Sequence, residues 1–412
     1  MTYERFRSRV YLSCIFIIFT YLKVYCSKNS DSYACDEEQC DTRFEITLDE
    51  KWREIHSKIK AAVDESKHCQ LNEDGCSVCH FRQIESDLST WKGGITKELL
   101  DAADKRATTY QIIDHKVYRE KKCVFEARCI GVEYFLTRLA KDLPDMEIKI
   151  NVFDYPCTPR WRSPKPPVFS FSRDSTYEDI MYPAWTFWAG GPAVWPLFPN
   201  GQGDWVGTRA WLAEYVLEKY PWSKKQPKGF FIGSRTSGER DPLILLSRAK
   251  PELVDAAYTK NQAYKGPKDT LDAEPVDPKN YDEHCPFKYL FNFRGVAASF
   301  RLKHLFLCDS LVYHVGDEWL EFFYPALKAW VHYIPVKQDL SDAELLLNFA
   351  KENDAVAEQI ANRGAKFIRD HLRQEDVFCY WKRLLLDYSK LLEFKPNLNP
   401  EFELKTVNDG KF

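Results

Sequence analysis

Apolar residues recur along this chain with two periods, and the changes of period mark its elements. Residues 52–63 and 81–91 repeat them at helical spacing. Residues 123–140 do the same, with Val132, Phe135, Leu136 and Leu139 on one face and Pro144 closing the helix. Met146, Ile148, Ile150 and Val152 then alternate with polar residues, the period of a strand that stops at Phe153-Asp154-Tyr155-Pro156. Residues 156–199, rich in Pro, Trp and Tyr, read as long ordered loops, and the stretch 185–196 suits a rigid aromatic wall around a pocket. A helix over 207–220 precedes 221–227, a candidate interdomain linker. The pattern restarts with a strand at 228–232, the turn Gly233-Ser234-Arg235-Thr236-Ser237, and a helix to Ser247 with Asp241 as N-cap and Pro242 as its first residue. A buried strand at 289–293 leads through Gly295 into a helix over 296–307, followed by a strand at 311–315 and its exit turn at 316–319. Ser341 with Glu344 predicts a capping box, and Asn353 caps another helix. Strand–helix alternation in both halves predicts two α/β domains facing each other across a cleft.

Composition narrows the setting. With 412 residues the chain exceeds one ordinary core, so two domains are expected. Its net charge of −3 gives no drive toward nucleic acid. Arg5, Arg7 and Arg9 precede an apolar stretch at 10–24 broken only by Lys23, the pattern of a signal peptide over 1–27, with a single anchor helix as the alternative. Export into the secretory pathway accounts for 13 cysteines as mostly disulfides. Cys123-x5-Cys129 and Cys35-x4-Cys40 are possible local staples. Cys76-x2-Cys79-His80 lacks the βαβ context of a redox or haem motif, and Cys69 offers an ordinary partner. No Asn-x-Ser/Thr sequon occurs.

Two turns carry candidate phosphate chemistry: Gly233-Ser234-Arg235 with Arg240, and Gly295 flanked by Arg294 and Arg301. Small residues before a helix leave backbone N–H groups open to an anion, and arginine matches phosphate oxygens with a planar fork. Neither turn is a Gly-x-Gly-x-x-Gly or Walker loop, which removes support for hydride transfer and nucleotide hydrolysis. Asp154, at a strand end, is a candidate general base, with turn capping as the structural alternative. The chain contains no Asp-x-Asp pair, so arginines rather than a divalent cation are expected as counter-charge for a diphosphate.

Long stretches carry a resemblance. Residues 179–188 (DIMYPAWTFW), 239–248 (ERDPLILLSR), 289–307 and 314–325 (HVGDEWLEFFYP) closely resemble protein O-glucosyltransferases of the Rumi type, a family with a capsule-synthesis-like glycosyltransferase domain, and the likeness runs over about 76–395. It implies an α/β fold of two facing Rossmann-like domains (GT-B type), with a signal peptide at 1–27, an acceptor and base domain at 28–222, and a nucleotide-sugar domain at 223–375. A helix at 376–396 would return to the first domain before a tail at 397–412. The implied activity is inverting, metal-independent transfer of glucose from UDP-glucose to serine in Cys-x-Ser-x-Pro-Cys of folded EGF-like repeats, as in Notch-type receptors. UDP-xylose is the alternative donor. A non-catalytic EGF-repeat-binding folding helper and a thiol–disulfide oxidoreductase are the competing readings.

By position, the resemblance makes Asp154 the base. It gives Phe198, Ser234, Arg240, Val296, Ala297, Ala298, Ser299, Phe300 and Arg301 to the UDP-sugar. It gives Val124, Phe125, Glu126, Ala127, Arg128, Phe153, Ala193, Val194, Trp195, Pro196, Leu197, Pro199 and Gln262 to the acceptor. It implies disulfides Cys69–Cys79, Cys76–Cys379, Cys123–Cys129 and Cys285–Cys308, and leaves Cys157 unpaired. The chain departs from the family where Phe153 and Ile232 replace Arg, Phe198 replaces Tyr and Gly238 replaces Pro. The implied location is the endoplasmic reticulum lumen, although the C-terminus lacks a Lys-Asp-Glu-Leu-type retrieval signal.

Overall fold

A computed structural model of the chain describes residues 50–188, 205–260 and 264–407. The predicted signal peptide, Cys35, Cys40, Ala193, Val194, Trp195, Pro196, Leu197, Phe198, Pro199 and Gln262 lie outside the described residues. In chain order the strands are β1 (Thr108–Ile113), β2 (Lys116–Arg119), β3 (Met146–Asn151), β4 (Val168–Ser170), β5 (Ser172–Arg173), β6 (Ile180–Met181), β7 (Gln226–Ser234), β8 (Val254–Thr259), β9 (Phe287–Asn292), β10 (Leu311–Val315), β11 (Leu320–Glu321), β12 (Ile334–Val336) and β13 (Glu403–Lys405). They build two main sheets, giving an α/β fold. The second, β12-β10-β9-β7-β8, is parallel throughout, and every residue of β9 and β10 is buried, as expected for strands covered on both faces.

The first sheet, β13-β2-β1-β3-β4-β6, is mixed. Its antiparallel side contains the β1–β2 hairpin, whose two loop residues Asp114 and His115 take φ of 49° and 59°. Positive φ at both positions is the twist a two-residue hairpin needs. Its other side, β3-β4-β6, is parallel, so β3 ends alongside β4 with its exit loop free to carry a side chain outward. The helix Gln374–Ser389 packs on this sheet: Tyr388 donates its hydroxyl to Glu147 O of β3 and Tyr380 to Met181 O of β6, each at 3.2 Å. Disulfides link Cys76 to Cys379, Cys69 to Cys79, Cys123 to Cys129 and Cys285 to Cys308, while Cys157 is buried and free. Cys76 and Cys79 therefore bond to different partners and form no dithiol pair. Among the described residues no helix is long and apolar enough to cross a membrane.

Several local expectations give way to tertiary contacts. Within 156–199 the short strands β4, β5 and β6 replace a pure loop, because Ser170 and the amides of Cys157 and Thr158 gather on the buried Asp179 carboxylate at 2.7 Å. The expected linker 221–227 is anchored instead: β7 starts inside it, and buried Lys225 donates to Cys285 O and Cys308 O at 2.5 and 2.8 Å. The helix over 207–220 is interrupted by a π segment, Leu212–Val216. Asp241 is not a cap: it is the first residue of the helix Asp241–Ala249, and its carboxylate is taken by Arg235 and by Tyr258 at 2.7 Å. Ser341 forms no capping box either, since Asp342 precedes the helix Ala343–Glu352 and Glu344 pairs with Lys250. Asn353 does sit before the helix Asp354–His371, but its side chain bridges Phe349 O and His56 rather than capping.

Candidate active site

Three parallel strands end together on one edge of the second sheet: β7 at Gly233-Ser234, β9 at Asn292 and β10 at Val315. Ligands of open α/β sheets gather at such carboxyl ends. Beyond β9 the predicted helix 296–307 is helical only over Leu302–Phe306, so the run Val296 to Arg301 is irregular backbone. Two side chains distant in sequence, Ser172 and Tyr324, and the nearby Asn292 hold it there. Ser172 Oγ takes the amide of Ala298 at 3.1 Å, Tyr324 Oη lies 3.2 and 2.9 Å from the amide and carbonyl of Ser299, and Ser299 Oγ donates to Asn292 Oδ1 at 2.7 Å.

The arginines around this run fall into two kinds. Arg235 is taken by Asp241, and Arg294 by Glu239 in a forked pair at 2.7 and 2.9 Å, with Gln338 on the same carboxylate. Arg240 and Arg301 have no carboxylate partner among the described residues. Both lie against one ring, 5.4 and 5.3 Å from the centroid of Phe231. Arg240 is buried and gives its two terminal nitrogens to Ser234 O and Arg294 O, tying the two turns together. Burial, and next the like charge of Arg301, push its pKa down to about 9, and burial lowers that of Arg301. Arginine stays protonated in proteins, so both shifts point to a buried cation without a carboxylate partner among the described residues, and at Arg240 also to the nearby charge of Arg301. An anion placed beside the two guanidiniums would offset the cost of burying them.

Arg301 reaches this place by lying across Gly233. A Cβ there would meet Arg301 Nη2 at 3.1 Å and Phe231 Cζ at 3.0 Å. Gly233→Ala is expected to displace the guanidinium and to weaken binding of the UDP that the resemblance implies about tenfold, roughly 1.4 kcal/mol, with a near-parental melting temperature. Calorimetric titration with UDP beside a thermal melt checks this; unchanged affinity would count against the placement of Arg301.

A small cleft opens beside the same run, lined among others by Ser299, His314, Gly316, Glu318 and Tyr324. His314 was not visible from sequence as a site residue. Asn292 Nδ2 donates to its Nδ1 at 2.9 Å once Asn292 Oδ1 has accepted from Ser299, so the imidazole carries its proton on Nε2. Burial pushes its pKa down to about 4, keeping it a neutral donor.

On the first sheet, Asn151 at the end of β3 braces the exit loop by donating to Tyr155 O at 2.7 Å and Ser170 Oγ at 2.9 Å. The loop presents Asp154, whose side chain is 39% exposed and whose Oδ1 accepts from Arg128 Nη1 at 3.0 Å. Exposed Val124 and Phe125 lie nearby, and Phe153 packs edge-on against Phe125 at 5.1 Å. Glu126 pairs with Arg119 at 3.0 Å, and Ile232 is buried in β7. Trp185 joins the two groups of residues, with its ring 4.6 Å from the Arg128 guanidinium and 5.5 Å from the ring of Phe300. Trp185, Phe187 and Trp188 are buried, and the rest of the predicted aromatic wall, 189–196, lies outside the described residues. Cys157, whose thiol burial pushes up to about 12, is unreactive.

Residues 72–408 match the family described as glycosyl transferase family 90. The chain is 55% identical over 346 residues to protein O-glucosyltransferase 1 of Rattus norvegicus, covering 84% of this chain and 87% of that one. It is 55% identical over 348 residues to the Homo sapiens protein of the same name, covering 83% and 88%. It is 50% identical over 389 residues to O-glucosyltransferase rumi of Drosophila melanogaster, covering 93% of each. Among solved structures, Anabaena HepE in complex with UDP and glucose aligns over 42% of this chain and 51% of its own, with 11% identity and a TM-score of only 0.31.

Proposed function

The chain belongs to glycosyl transferase family 90, and we propose that it is a protein O-glucosyltransferase that moves glucose from UDP-glucose to a serine of a folded EGF-like repeat. The observation that carries this reading is the pairing of two uncompensated arginines, Arg240 and Arg301, with a carboxylate presented at the end of β3, the two sides meeting through Trp185.

In this reading the serine oxygen attacks the anomeric carbon while Asp154 takes its proton. The bond to the phosphate oxygen breaks on the opposite face, with its electron pair leaving on UDP, so the configuration inverts. Arg301 receives the charge that grows on the diphosphate. Arg240 adds its field while holding the turn 233–240 to Arg294, so these donors are set before the reaction begins. With two arginines serving as counter-charge, the mechanism requires no metal. The neutral His314 Nε2–H and the cleft beside Ser299 receive the nucleoside. Val124, Phe125 and Phe153 form an apolar edge for the acceptor repeat. Four disulfides support a lumenal, oxidising compartment, and we place the enzyme in the endoplasmic reticulum.

One assay tests the reading. Full-length protein is incubated with a folded repeat containing Cys-x-Ser-x-Pro-Cys and either UDP-glucose or UDP-xylose. Hexose added to the serine, with matching UDP release and no reaction on the Ser→Ala repeat, is the expected result. Transfer from UDP-xylose alone would reassign the donor, and repeat binding without UDP release would identify a folding helper.

A further inference from the structure

One arginine in the first turn of the helix Glu126–Leu139 is held as though its task were the carboxylate, and we infer that Arg128 is the positioning residue of Asp154. The inference rests on the reading of Asp154 as the base.

Arg128 Nη1 donates twice, to Val152 O at 2.7 Å and to Asp154 Oδ1 at 3.0 Å. A single nitrogen thus spans the main chain two residues before the aspartate and the aspartate's own carboxylate. A carboxylate turns freely about its last torsion, which has a broad, roughly two-fold profile, and this bond selects one setting. Oδ1 is occupied, while Oδ2 has no hydrogen bond among the described residues and is left to accept the serine proton. As the serine oxygen bonds to the anomeric carbon, its proton passes to Oδ2 and the former bonding pair leaves with the phosphate oxygen.

The guanidinium is itself fixed. Its carbon lies 4.5 Å from the ring of Phe125 and 4.6 Å from that of Trp185, within cation–π range. Trp185 reaches it because Gly131 stands three residues further along the same helix face, where a Cβ would come within 2.7 Å of Trp185 Cβ. The Cys123–Cys129 disulfide closes the loop that enters the helix, with Arg128 beside one of its cysteines. Disulfide, glycine and tryptophan converge on one side chain, which in turn converges on one oxygen. A direct contact with the acceptor would need none of this apparatus, and the neighbouring Val124 and Phe125 are the more exposed groups, at 52% and 39%.

Arg128→Gln, Arg128→Lys and Asp154→Asn, each in the full chain, are compared for kcat, acceptor KM and UDP affinity, with a folded repeat and UDP-glucose. Misplacement of a reacting group by about 1 Å can cost ~100-fold. Arg128→Gln is therefore expected to lower kcat about 10–100-fold with acceptor KM and UDP affinity within about threefold of the parent. Arg128→Lys, which keeps the charge and one reach but not the planar nitrogen, should fall between. If the Gln variant does not fold, the Lys variant decides by the same split. Parental kcat with a raised acceptor KM would make Arg128 an acceptor contact and overturn the inference. Parental turnover in Asp154→Asn would instead remove the base assignment, a separate failure.

Discussion

Asp154→Asn is expected to stop sugar transfer and leave the nucleotide site as it was. Asparagine is nearly isosteric, and its carbonyl oxygen can still accept from Arg128, so the exit loop of β3 keeps its Asn151 and Arg128 braces. What it cannot do is take a proton from serine. General-base catalysis of this kind contributes typically 10²–10⁴-fold. We therefore expect single-turnover transfer to fall by about a thousandfold. UDP affinity should stay within about twofold, because Asp154 belongs to the first sheet whereas Arg301 and Arg240 lie against Phe231 of β7. The two readouts separate a lost base from a lost fold. Near-parental transfer would show that another group removes the proton, whereas loss of UDP binding together with transfer would show that the loop supports the nucleotide side as well.

How much of this could be read from the chain depended on how local the cause was. The alternation of Met146, Ile148, Ile150 and Val152 is a property of one strand, so it located β3 and with it Asp154. The apolar run through β9 likewise marked a strand buried on both faces. The small and apolar residues of the run Val296 to Arg301 suit a helix, whereas Ser172 and Tyr324, from two other parts of the chain, fix its backbone and Asn292 holds the Ser299 side chain. Asp241 had the type and place of an N-cap, yet Tyr258, 17 positions on, and Arg235 claim its carboxylate. Nothing local distinguishes Arg294 from Arg301. The difference lies in Glu239, 55 residues before Arg294, which neutralises one arginine and leaves the other uncompensated. His314 was invisible for the same reason, since its role depends on a chain of donors running from Ser299 through Asn292.

That difference between paired and unpaired arginines sets the second large effect. Arg301→Gln is expected to weaken UDP binding by roughly 10–100-fold, the equivalent of about 1.5–3 kcal/mol for hydrogen bonds to a charged group. Transfer should suffer more than binding, because the diphosphate gains charge as it leaves and any interaction that strengthens with that charge lowers the barrier. Folding should respond in the opposite sense. Arg301 and Arg240 lie against the same ring with no carboxylate partner among the described residues, and the charge of Arg301 lowers the pKa of Arg240, so removing one cation relieves the other and the unliganded variant should melt at or slightly above the parental temperature. Added UDP, which raises the parental melting temperature by mass action, should then lift the variant far less. Arg294→Gln is the contrasting variant: it leaves Glu239 without its cation and frees the brace on the run, so it should lower the melting temperature first and affinity second. Thermal melts of the three proteins with and without UDP read the stability and affinity effects together, and a transfer assay reads the rate. If Arg301→Gln bound UDP as tightly as the parent, the guanidinium beside Gly233 would not be the diphosphate contact, and Arg240 alone would have to carry that charge, through the second N–H that each of its terminal nitrogens keeps beyond its bond to a backbone carbonyl.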